Sequence, residues 1–310
     1  MDVIKVSHLS KQYDDISAVN NLSFTVQEAD VYGFLGQNGA GKSTTIRMLL
    51  TLIKPSSGEI ELFGMNLRTQ RKEILRQVGA VIERPDLYKY LSAYENLQLF
   101  AKMSGMRVQK KQLMEQLEMV GLADRAGSKA QTFSQGMKQR LGIAIALVHN
   151  PQLVILDEPV NGLDPQGIAD MRNLIMHLSR HLKKTVMVSS HLLSEMELIA
   201  TRMLIIDKGK KLIEGNVQEL FDPAKTIVEV SVSNAAAAEE KVKQSIWASM
   251  LQQVEPQQLV FQLHKDKLAQ LNKELVQMGI EVTGFRPGNS LEKYFLSLTG
   301  NQQHVATFTN

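Results

Sequence analysis

The sequence predicts an α/β domain followed by a smaller α+β module, and three observations carry that prediction. Short apolar segments alternate with amphipathic ones through the first two thirds of the chain. A glycine-rich turn stands between one apolar segment and a helical pattern. The character of the chain then changes at Phe221-Asp222-Pro223, where proline cannot continue a helix and a strand-like pattern restarts. A chain of 310 residues has room for one large domain and one small one.

Residues 31–35, 153–157 and 185–189 read as buried strands, each short, apolar and closed by polar or glycine residues. Between the first two lies a mostly helical stretch, 93–149, in which Leu113, Met114, Leu117 and Val120 fall at helical spacing. An insertion of that length predicts a helical subdomain over about 85–150. Beyond Pro223, residues 226–230 read as strand, 235–247 as helix, 259–263 as strand and 268–278 as helix. The expected organisation is a large domain over 1–222, an α+β module over 223–300 and a polar tail over 301–310. No internal repeat of 20 to 50 residues is evident.

Composition closes several functional classes. Lys and Arg number 35 against 32 Asp and Glu, and no basic block concentrates that excess, so nucleic acid is not an expected partner. There is no cysteine, which removes disulfides and thiolate metal sites. Residues 1–6 lack the basic and apolar regions of a secretory signal. The longest apolar run, 141–148, falls far short of the roughly 20 residues that a membrane-spanning helix needs, so the chain is not expected to cross a membrane.

Gly36-Gln37-Asn38-Gly39-Ala40-Gly41-Lys42-Ser43-Thr44 has the spacing of a phosphate loop and stands between a strand and a helix, as that loop requires. Glycines at 36, 39 and 41 let successive N–H groups, including that of Asn38, turn toward one anion, and the helix dipole adds positive potential there. Lys42 would reach the β- and γ-phosphates of ATP, and the Ser43 hydroxyl would ligate Mg²⁺. At the end of the strand over 153–157, Asp157 would hold Mg²⁺ and Glu158 would position and deprotonate the attacking water. Both acids fall where ligands sit in open α/β sheets, outside the carboxyl ends of the strands.

Many proteins carry those two motifs. What narrows the choice is Phe133-Ser134-Gln135-Gly136-Met137-Lys138-Gln139-Arg140, which resembles the signature of ATP-binding cassette (ABC) proteins. Phosphate loop, signature, acidic strand, Asn161-Gly162-Leu163-Asp164 and His191 follow in that family's order, and the resemblance covers about residues 2–220. It implies a P-loop NTPase cassette: a mostly parallel sheet flanked by helices, an antiparallel β subdomain and a helical signature subdomain. By the same resemblance, Ser134 and Gly136 face the γ-phosphate of ATP held by a second subunit. The D-loop with Asp164 crosses the dimer interface, His191 is the switch histidine, and Tyr13 stacks on adenine. Thr44 belongs to the phosphate-binding set.

The sequence departs from the family pattern at Phe133, Gln135 and Met137, where Leu, Gly and Gln are usual, and at Glu83, where the family has its Q-loop glutamine. Glutamate still offers oxygen to Mg²⁺ or water but cannot donate a hydrogen bond. Glu83 and residues 138–144 resemble the branch of exporters for bacitracin- and lantibiotic-type peptides, and the run Asn289 to Leu296 resembles the module found after such cassettes. This implies an ATPase working with integral-membrane permease subunits, as a homodimer or heterodimer of nucleotide-binding subunits, on the cytoplasmic face of the cell membrane. The rival, a soluble cassette that remodels nucleoprotein, usually carries two cassettes or long coiled coils, and this chain has one uninterrupted cassette. A non-hydrolysing sensor is disfavoured by Glu158. His177 and His181 stand four apart without an acidic or thiol companion and read as packing or solvent-facing residues.

Overall fold

A computed structural model describes residues 1–220 and 226–289, which divide into two compact units, the first Met1–Asn216 and the second from Val217 onward. The first unit begins with the antiparallel strands β1 (Asp2–Tyr13) and β2 (Ile16–Gln27), followed by β3 (Val31–Leu35) and α1 (Lys42–Leu49). Next come β4 (Ser57–Leu62), β5 (Met65–Asn66), α2 (Arg71–Leu75) and β6 (Val78–Val81). The inserted helices are α3 (Ala93–Met103), α4 (Lys110–Met119) and α5 (Gln135–Leu147). The chain returns through β7 (Leu153–Asp157), α6 (Pro165–Arg180), β8 (Thr185–Ser190), α7 (Leu193–Ile199), β9 (Arg202–Asp207) and β10 (Lys210–Asn216).

The central sheet has the order β10-β9-β3-β8-β7-β6. Every neighbouring pair in it is parallel except β9 with β10. Parallel strands need cover on both faces, and β3, β7 and β8 are accordingly buried along their whole length. A second, antiparallel sheet, β2-β1-β4-β5, packs on this one. Phe24 of β2 stacks on Phe34 of β3 with ring centroids 5.7 Å apart, so aromatic contact joins the two layers. The expected strands and the helical insertion are therefore present, with turns separating the three inserted helices.

Asn96 of α3 is fully buried and fixes the loop that follows β6. Its side chain accepts from Tyr88 N–H and donates to the carbonyls of Tyr88, Leu91 and Ser92. Ser92 and Glu95 form a reciprocal capping box that starts α3. The Ser92 N–H donated to Glu95 holds that carboxyl below its usual range.

The second unit opens with the short α8 (Val217–Leu220). Its described part then runs β11 (Thr226–Val232), α9 (Ala235–Lys243), β12 (Leu251–Glu255), β13 (Gln258–Leu263), α10 (Leu268–Gln277) and β14 (Val282–Asn289). The antiparallel order β12-β13-β11-β14 makes this a split βαβ arrangement. Val228, Val230, Phe261, Leu271 and Trp247 form its core, and the Trp247 indole donates to Glu274 at 2.8 Å. Helix α9 stops at Lys243, four residues short of the expected end. There the Ser245 hydroxyl donates to the Val242 carbonyl and accepts from Trp247 N–H, competing with the helical ladder. The expected boundary at Phe221–Pro223, the run from Ser290 to Leu296 and the tail 301–310 lie outside the described residues.

Candidate functional site: a phosphate loop facing two carboxylates

The loop after β3 turns sharply into α1 through Gly41, whose φ of 105° is left-handed. A Cβ on Gly41 would also stand 2.5 Å from the Ala18 carbonyl, so only glycine fits. Gly36 ends β3, Asn38 and Gly39 form the exposed rim, and Ser43 and Thr44 lie half-buried in the first turn of α1. No side chain caps α1 and no acid occupies its first turn, leaving its N–H groups to serve an anion. The Lys42 side chain is only 6% exposed. Its ammonium donates to the carbonyls of Gly36 at 2.7 Å and Gln37 at 3.3 Å.

Two strands away, β7 delivers Asp157 and Glu158 to the same edge of the sheet. Ser189 of β8 is the register partner of Asp157; its hydroxyl donates to Asp157 Oδ1 and accepts from Glu158 N–H. Asp157 Oδ2 is buried and has no hydrogen-bond partner among the described residues. Glu158 adopts a left-handed backbone, φ 50°, and its carboxylate lies between two cations or donors. Oε2 meets His191 Nδ1 at 2.9 Å, and Oε1 lies 3.1 Å from Lys42 Nζ. The contact with Lys42 is an ion pair rather than a hydrogen bond, since Glu158 Oε1 has no aligned donor.

The structure thus joins Gly36, Lys42, Asp157, Glu158 and His191 into one connected cluster. Other expected site residues stand apart from it. Ser134 N-caps α5, accepting from Met137 N–H, and Gly136 follows in a first turn free of acids, with the Leu163 side chain 3.8 Å from where its Cβ would be. Asp164 N-caps α6 ahead of Pro165. Tyr13 ends β1, 45% exposed as a residue, with the Lys11 ammonium 4.7 Å from its ring centroid. Glu83, two residues beyond β6, directs its carboxylate to Arg47 of α1. No three His, Cys, Asp or Glu residues among the described ones gather as a metal site. Mg²⁺ does not need such a cage, because it keeps waters and phosphate oxygens. The bare Asp157 oxygen and the Ser43 hydroxyl are hard donors of the kind it takes, so the residues fit that ion. Ser189, Arg47 and Gln139 are participants that sequence spacing did not reveal; only the register of β7 against β8 would have found Ser189.

A strand, phosphate loop and helix facing an acidic pair on a parallel sheet define a nucleotide-hydrolysing P-loop domain. The family model described as ABC transporter matches residues 19–161. The bacitracin transport ATP-binding protein BcrA of Bacillus licheniformis is 43% identical over 299 residues, covering 96% of this chain and 97% of its own. The lantibiotic transport ATP-binding protein SrtF of Streptococcus pyogenes is 40% identical over 226 residues, covering 71% of this chain and 96% of its own. Among solved structures, an ATP-binding subunit of an ABC transporter aligns with a TM-score of 0.63 at 30% identity, covering 70% of this chain and 91% of that one. A dimeric ATP-binding cassette in a post-hydrolysis state with ADP and Pi aligns with a TM-score of 0.62 at 25% identity, covering 69% and 98%. The chain belongs to the ATP-binding subunits of ABC transporters and is a transport ATPase. No helix among its described residues is long and apolar enough to cross a membrane.

Proposed function

We propose that this chain powers an exporter of antimicrobial peptides or related drugs. It docks on separate integral-membrane permease subunits at the cytoplasmic face of the cell membrane and pairs with a second nucleotide-binding subunit. The observation that carries the catalytic part is the chain of contacts Gly36–Lys42–Glu158–His191 over the phosphate loop. Similarity to bacitracin and lantibiotic transport subunits supports the substrate class.

In this reading the N–H groups of the loop and Lys42 bind the β- and γ-phosphates, and Tyr13 stacks on the adenine. Ser43 and Asp157 hold Mg²⁺, with Glu83 near the same edge. The ion, when bound, neutralises charge on the phosphate oxygens. Glu158 accepts a proton from water as the water oxygen bonds to the γ-phosphorus and the bond to the bridging oxygen breaks, releasing ADP and phosphate. His191, hydrogen-bonded to Glu158, orients that carboxylate. Ser134 and Gly136 present the first turn of α5 to the ATP of the partner subunit, and Asp164 lies in the loop facing that interface.

Lys42 supplies the decisive test. Lys42→Ala deletes a charge-assisted phosphate contact and leaves Glu158 without its counter-charge. Calorimetry should then detect no saturable binding at millimolar ATP. An affinity close to that of the parent would overturn the phosphate-loop assignment.

A further inference from the structure

Glu83 stands where the two nucleotide-facing helices converge. Its backbone is left-handed, φ 55°, a conformation uncommon outside glycine. The Arg47 guanidinium, in the last turn of α1, places Nη2 2.5 Å from Glu83 Oε1. Gln139 of α5, itself buried, donates Nε2 to the Glu83 carbonyl at 3.3 Å. Three residues further along α5, Gly142 lets the following loop close in, since a Cβ there would stand 2.6 Å from Pro85. Glu83 therefore contacts both the helix that begins at Lys42 and the helix that carries Gly136. It also follows β6, the strand hydrogen-bonded to the one that ends in Asp157.

Charge sharpens the point. The phosphate-loop cluster, from which Glu83 stands apart, already sets two carboxylates, Asp157 and Glu158, against the single ammonium of Lys42. A third, uncompensated carboxylate would repel a triphosphate. The guanidinium of Arg47 supplies the missing positive charge and keeps the Glu83 oxygens on the α1 side. With Arg47 and Glu83 43% and 61% exposed, this pair contributes little to global stability, so its loss should register at the site and not in the melting temperature.

We propose that Arg47 is the positioning residue for Glu83: it neutralises that carboxylate beside the nucleotide and makes Glu83 a tie between the phosphate-loop helix and the signature helix. This rests on the reading of α1 and α5 as the elements that face ATP.

The test is a double-mutant cycle on the full chain, with Mg²⁺-ATP binding by calorimetry and phosphate release as readouts. Arg47→Ala should raise the KM for ATP about two- to fivefold, the range an exposed ion pair supports, with a smaller change in kcat. The increase should shrink at high salt. In a Glu83→Gln background the same substitution should change nothing, because no carboxylate remains to neutralise. Arg47→Lys, which keeps the charge, should recover most of the loss in the Glu83 parent. An equal effect of Arg47→Ala in both backgrounds would mean that Arg47 acts without Glu83, and no effect in either would leave a surface ion pair only. Either result overturns the proposal. Lys42→Ala separates the two layers: if it abolishes binding while the cycle is additive, only the role of Arg47 falls. A parent that binds no ATP would sink both.

Discussion

Glu158→Gln should move ATP affinity and ATP turnover in opposite directions. In the structure Glu158 Oε1 lies 3.1 Å from the Lys42 ammonium, the group that the phosphates require, and both side chains are largely shielded from water. The carboxylate therefore competes with the triphosphate for Lys42 and repels it directly. The amide is nearly isosteric, keeps an acceptor for His191 and carries no charge. Close charge pairs couple by about 1.5–7 kcal/mol, and the gain in binding is only part of this because Lys42 in the bound state also loses the attraction of Glu158. A net gain near the lower figure corresponds to about tenfold tighter ATP binding. Turnover should fall by about 10²–10⁴, because the amide is a poor base. Calorimetry with Mg²⁺-ATP and phosphate release on the same preparation measure both. Affinity equal to or weaker than the parent's would refute the competition between Glu158 and phosphate for Lys42. Turnover within threefold of the parent's would show that another residue activates water.

Two further outcomes test other parts of the molecule. His149 bonds the Val78 carbonyl at 3.1 Å, and burial, ahead of any other cause, holds its pKa below the usual value, so the unfolded chain takes up a proton before the folded one. The contribution of His149 to stability should be lost as pH drops through about 6.5, so the gap between urea midpoints at pH 8 and pH 5 should narrow in His149→Gln; an unchanged pH slope in the variant would refute this. The signature residues Ser134 and Gly136 make no hydrogen bond or ion pair to the Lys42 cluster among the described residues, so turnover should need two chains. Specific activity should rise with protein concentration until dimers saturate, and mixing Lys42→Ala with Ser134→Arg chains should restore activity; constant specific activity with a monomer throughout in Mg²⁺-ATP would count against the composite site.

What the sequence made legible follows a physical pattern. Strands β3, β7 and β8 are apolar along their length because parallel strands are covered on both faces, and such runs stand out without any partner being known. The phosphate loop is complete within nine consecutive residues, so its chemistry is local. Strands β12 and β14 escaped notice because they are the edges of their sheet. Edge strands can be polar, as in Leu251–Glu255, or carry proline, as Pro287 does in Val282–Asn289. Strand β1 was obscured differently: register shifts between Val6 and Leu9, and again before Lys11, interrupt the alternation by which a half-buried strand is recognised.

The site divides along the same line. Spacing identified Lys42, Asp157 and Glu158 because each belongs to a short motif with a fixed chemical task. It could not identify what those groups rest on. Ser189 reaches Asp157 from 32 residues away, Arg47 reaches Glu83 across 36, and Gln139 reaches it across 56. Glu83 shows the consequence most clearly. Read along the chain, it is one acid standing where a glutamine is usual, and its negative charge looks like a defect in a site built for phosphate. In the fold its carboxylate meets a guanidinium from the phosphate-loop helix, and its carbonyl meets a buried amide from the signature helix. A one-residue departure from a motif therefore cannot be judged harmful or neutral from the motif alone. The deciding quantity is the charge that the rest of the fold brings within contact of it, and here that charge is positive.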